Sequence, residues 1–103
     1  MELTKAFVKT TSPVSEKIAK DGALKAELNR KGNALFNSGD IEGAKRIFRT
    51  TGYSDGLVRV GDFYLSKGKP IDALRMYYLA PDRKKADPLI QKAAQVIQEL
   101  LKQ

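Results

Sequence analysis

The 103-residue chain has no cysteine, no histidine and no tryptophan. Without cysteine there is no disulfide framework, no thiolate zinc site and no thiol nucleophile. Without histidine the commonest general base and the commonest transition-metal ligand are missing. Long apolar runs are missing as well. Near the start the longest is Ala6-Phe7-Val8, short of the roughly 7–15 residues of a secretory core. Nothing approaches the roughly 20 apolar residues of a membrane span. The expectation is therefore no leader, no membrane span and a cytoplasmic location. No phosphate-binding glycine loop, paired carboxylates or nucleophile beside a base can be found, so neither an enzyme nor a bound cofactor or metal is expected. No segment alternates with period two over a strand length, which points to an all-α chain.

What is present in excess is positive charge. Lysine plus arginine number 19 against 12 acidic residues, a net charge of +7. Such an excess suits nucleic acid, an acidic membrane face or an acidic protein. It also falls within the range of about 2–8 that keeps a small domain in solution. Lys45, Arg46 and Arg49 cluster in one apolar-periodic stretch, and Arg83-Lys84-Lys85 sits between two others. Together they give the alternative reading, a nucleic-acid-binding or acidic-surface-binding helical protein. Against it, Tyr53, Tyr64, Tyr77 and Tyr78 mostly fall on packing positions, and no signature of interleaved aromatics offers a platform for bases.

The apolar residues recur with helical spacing. Residues 1–11 read as an N-terminal arm, and residues 12–103 as one domain. Ser12-Pro13 has the form of a cap followed by a first-turn proline. Leu24, Leu28, Leu35 and Phe36 form one stripe, which stops at Asn37-Ser38-Gly39. Gly39 suits a left-handed helix end, and Asp40 suits the next cap. Ile41, Ala44, Ile47 and Phe48 follow, up to Gly52. Ser54 or Asp55 is the expected cap for a stripe of Leu57, Val60, Tyr64 and Leu65. Pro70 opens a helix bearing Ile71, Ala73, Leu74, Met76 and Tyr77, which Pro81 ends. Residues 82–87 read as a charged connector, and Asp87-Pro88 as the start of a last helix with Leu89, Ile90, Ala93, Ala94, Ile97, Leu100 and Leu101.

Two of these helix pairs repeat. Leu28, Gly32, Leu35, Gly39, Ala44 and Phe48 fall 29 residues before Leu57, Gly61, Tyr64, Gly68, Ala73 and Tyr77. In each pair a glycine would let the second helix approach, with Gly32 against Ala44 and Gly61 against Ala73. Ile90, Ala94 and Ile97 fit the first-helix pattern again, 33 residues on. A lone hairpin cannot bury both faces, so such units stack.

This pattern resembles the tetratricopeptide repeat, over roughly residues 25–98. The family spacing of a bulky residue, a glycine, an aromatic, then alanine and a second aromatic appears as Leu28, Gly32, Leu35, Ala44, Phe48 and as Leu57, Gly61, Tyr64, Ala73, Tyr77. Two departures are Lys31 at an apolar position and a period of 29 where the family has about 34. The resemblance implies a short right-handed α-solenoid of antiparallel hairpins, about two units plus a C-terminal capping helix. It implies an adaptor or scaffold that binds a peptide or protein segment in a concave groove. By position the groove residues are Ala26, Asn29, Arg30, Asn33, Phe36 and Asn37 from the first unit. From the second they are Asp55, Val58, Arg59, Asp62, Leu65 and Ser66. Asn29, Asn33 and Asn37 are each four apart, a ladder of amides suited to a peptide backbone. A carboxylate-clamping subfamily is matched at Asn33, but Asn29 stands where it has lysine and Arg59 where it has asparagine. That clamp is not expected. A homodimer through Leu89, Leu100 and Leu101 of the last helix is the third reading.

Overall fold

A computed structural model describes residues 21–103. The expected arm and the helix start at Ser12-Pro13 lie outside these residues. The described residues form five helices and no strand: α1 (Gly22–Ser38), α2 (Ile41–Thr51), α3 (Ser54–Ser66), α4 (Pro70–Leu79) and α5 (Arg83–Leu101).

Helix ends follow local chemistry. Asp21 and Asp40 accept the backbone N–H groups of Leu24 and Gly43, capping α1 and α2. Gly39, Gly52 and Gly68 have φ of 96°, 68° and 74°, the left-handed region that only glycine enters freely. These glycines permit the reversals between consecutive helices. Pro70 occupies the first turn of α4, where a missing N–H costs nothing.

Two ends differ from expectation. Tyr53 is the cap residue of α3, with no side-chain bond. The Ser54 hydroxyl instead accepts the backbone N–H of Asp82 at 2.9 Å. The stretch read as a connector is the opening of α5. Asp82 caps it by accepting the Lys85 N–H, and Ala86 is fully buried. Pro88 therefore lies inside the helix. It supplies no N–H to the carbonyl of Lys84, a residue on the exposed side where water can take its place.

Consecutive helices pack, and their contacts fix an antiparallel sense. Gly32 of α1 meets Phe48 of α2, and Gly61 of α3 meets Tyr77 of α4. These two contacts are the same contact 29 residues apart. The starts of α2 and α4, Ile41 and Pro70, keep that interval, as do those of α3 and α5, Ser54 and Arg83, whereas α1 and α3 start 32 residues apart.

The nearest neighbour of each of these glycines is a ring. A Cβ on Gly32 would stand 2.6 Å from the Phe48 ring, and one on Gly61 would collide with Tyr77. Gly56 approaches Phe48 as closely from the other side, so this ring is held between α1 and α3. Phe48, Leu57, Val60 and Tyr77 are the largest fully buried side chains. Each contributes roughly 1.5–3 kcal/mol by burial. Ala73, Tyr77 and Ala93 form the second cluster, joining α4 to α5.

Candidate interaction site

The residues carried over from the repeat pattern divide into two groups. Asn33, Phe36, Asn37 and Arg59 come together. Arg59 reaches from α3 across to α1, where Nη1 donates to Asn33 Oδ1 at 2.8 Å and Nη2 to Asn37 Oδ1 at 3.1 Å. Its guanidinium carbon lies 4.4 Å from the centre of the Phe36 ring. Cation–π contact and two charge-assisted bonds hold the planar group in one orientation. Arginine has five N–H donors, so Arg59 keeps donors beyond the two that the asparagines engage.

The other residues, apart from Arg30 and Ala26, are used within the fold. Asn29 leaves the ladder: its Oδ1 accepts the hydroxyl of Thr51, buried at the end of α2, at 2.6 Å. Asp62 Oδ1 accepts the Tyr77 hydroxyl at 2.6 Å, tying α3 to α4. Val58 and Leu65 pack against the core. Ser66 donates to the carbonyl of Phe63. Asp55 pairs with Lys85 of α5. Arg30 and Ala26 are exposed.

Sequence reasoning missed Phe63 and Lys67. Phe63 meets Phe36 edge to face with centroids 6.2 Å apart, and Lys67 Nζ lies 5.5 Å from the centre of the Phe63 ring. The signal was present: Arg59, Phe63 and Lys67 are spaced by four and share a helix face. Asn33 pairs with Arg59, and Phe36 with the later Phe63, so α1 and α3 run side by side in one sense. The shared face carries amides, two phenyl rings and the cations Arg59 and Lys67. The nearby carboxylates Asp62 and Asp55 are bonded to Tyr77 and Lys85.

The proposed basic surface is partly neutralised. Lys45 pairs with Glu42 at 2.7 Å, Arg83 with Asp87 at 2.8 Å, and Lys85 with Asp55. Glu42 Oε2 and Lys45 Nζ each lie 3.4 Å from the Tyr64 hydroxyl, fastening α2 to α3. The hydrogen bond to Lys45 lowers the Glu42 pKa, and the same bond raises that of Lys45. Tyr78 is not a packing residue: it is 60% exposed. On α5, Leu89 packs inward while Leu100 and Leu101 stay exposed. Among the described residues no helix is long and apolar enough to cross a membrane, and no three acidic residues converge as a metal site would need.

Burial, then the bond to Asp62, raises the Tyr77 pKa well above its usual 10.0. The folded state therefore holds this proton more tightly than the unfolded chain. Its contribution is complete below about pH 10 and is lost as pH rises toward the folded value. Tyr77→Phe is expected to lower the melting temperature at neutral pH, by an amount matching about 1 kcal/mol. Above pH 10 the wild-type curve should fall more steeply than that of the variant. Parallel curves in an alkaline thermal-melt series would contradict this.

An uncharacterized protein of Treponema pallidum (strain Nichols) is 43% identical to the chain over 99 residues, covering 95% of this chain and 92% of its own length. The chain belongs to the same family as that protein. No family model and no solved structure matches it.

Proposed function

We propose that the chain is a protein-interaction module, a short stack of tetratricopeptide-like hairpins that takes a peptide or protein segment on the face shared by α1 and α3. The observation that carries this reading is the orientation of Arg59 by Asn33, Asn37 and Phe36. An arginine immobilised in advance loses little side-chain freedom when it meets a carboxylate or a backbone carbonyl. The Phe36–Phe63 pair offers apolar contact beside it. The 29-residue recurrence of glycine–aromatic contacts supports the stacked-hairpin reading.

Asn37 and Lys67 are exposed, and neither contributes to the buried clusters. The pair Asn37→Ala and Lys67→Ala is expected to abolish capture of the partner from native cells. Helicity by circular dichroism should remain unchanged. Undiminished capture of the same partner, identified by mass spectrometry, would reject this face as the binding surface.

A further inference from the structure

On α4 the molecule carries a second surface that the α1/α3 face does not include. A cleft of about 560 Å³ is bordered by Ile71, Leu74, Arg75, Tyr78 and Leu79 of α4 and by Arg49 of α2. Ile71 is 57% exposed, Tyr78 60% and Leu79 44%, an unusual concentration of large apolar side chains in water. Core packing does not explain them: the buried residues of α4 include Ala73 and Tyr77, which join the cluster with Ala93, and Met76, which lines the cleft.

The two charged residues that line the cleft are both cations. Arg49 and Arg75 line it, and Arg83 lies 5.8 Å from the centre of the Tyr78 ring. Arg83 is paired with Asp87. Asp72, the nearest carboxylate to Arg75, stands 3.9 Å away, at the limit of an ion pair. No ion pair engages Arg49 among the described residues. An apolar floor between such cations calls for an apolar ridge edged with carboxylates. The helices present no unpaired strand edge to extend. Ile71 and Tyr78 are two helical turns apart, about 10 Å, which matches anchors at positions i, i+3 or i+4, and i+7 of a partner helix.

We infer that this cleft docks an amphipathic helix of another protein, its apolar face flanked by aspartate or glutamate. The test uses two labelled helical peptides of about 15 residues. Both carry leucines at i, i+3 and i+7; one has glutamates on the flanks, its twin lysines. The glutamate peptide is expected to bind at least about tenfold more tightly than its twin. It should shift the amide resonances of α4 and of Arg49 in nitrogen-15 spectra. Arg49→Glu with Arg75→Glu should reverse the preference, and Ile71→Ser with Tyr78→Ser should weaken the glutamate peptide about tenfold or more.

Equal affinity for the two peptides, or none at about 1 mM, overturns the proposal. So do shifts confined to α1 and α3. Self-association that Ile71→Ser and Tyr78→Ser abolish would assign the cleft to a second copy instead. Binding only to phosphatidylglycerol vesicles would assign it to a membrane surface. Because the shifts report which face is occupied, failure here is separable from failure of the α1/α3 assignment.

Discussion

Phe48→Ala is expected to remove about 3–5 kcal/mol of stability, a large share of the roughly 5–15 kcal/mol available to a small domain. The reason is the position of the ring. Phe48 is fully buried on α2, with Gly32 of α1 on one side and Gly56 of α3 on the other. Its loss opens a cavity that touches three helices. Neither glycine has a side chain to move into the space, so collapse requires whole helices to shift. The cost should therefore lie toward the upper end. Urea denaturation followed by circular dichroism measures it, and a midpoint within error of wild type would contradict the assignment.

The same geometry predicts a reversal of sign. Gly32→Ala alone places a Cβ 2.6 Å from the Phe48 ring and should destabilise. In the Phe48→Ala background that methyl enters an empty space. There it fills part of the cavity and gains the helix preference of alanine over glycine, about 1 kcal/mol. The double variant should thus be more stable than Phe48→Ala by itself. Additive losses in the double-mutant cycle would mean that the two side chains are not in contact.

Which parts of the fold could be read in the sequence follows from how local each cause is. Gly39 and Gly52 were legible as helix ends, and Asp40 and Pro70 as starts, because a cap or a left-handed turn depends on a few neighbours. That the rings of Phe48 and Tyr77 would press on the glycines was harder to read, for a tertiary reason. Helical side chains lean toward the N-terminus. The ring of Phe48, one turn after Ala44, leans back over that turn and reaches Gly32. Asp87-Pro88 resembled a start, yet Asp82 caps α5 five residues earlier and burial of Ala86 holds that first turn.

The candidate site was legible in part for similar reasons. The family resemblance assigned Asn33, Phe36, Asn37 and Arg59 to the groove by position. It could not show that a single guanidinium would bridge three of them across two helices. Asn29 shares their spacing but turns to Thr51, because each step of four residues rotates about 40° around the axis. Asp62 looked like a groove acid, and the Tyr77 hydroxyl claims it. No pattern in one helix reports a partner in the next.

Gly61→Ala weighs two opposed effects of known size. Alanine favours a helix interior over glycine by about 1 kcal/mol, and on an exposed surface that gain would prevail. At Gly61 the new Cβ collides with the ring of Tyr77. The ring cannot retreat cheaply, since it is fully buried beside Ala73 and Ala93 and its hydroxyl is fixed to Asp62. Overpacking of this kind costs about 1–3 kcal/mol and more where backbone must move. A net loss of about 2 kcal/mol is expected. Gly22→Ala is the matched comparison: a Cβ there meets nothing within 4 Å, and stability should hold or rise slightly. Thermal melts of the two variants decide the matter. If Gly61→Ala melts at or above the wild-type temperature, α3 and α4 are not in the close contact that the repeat requires.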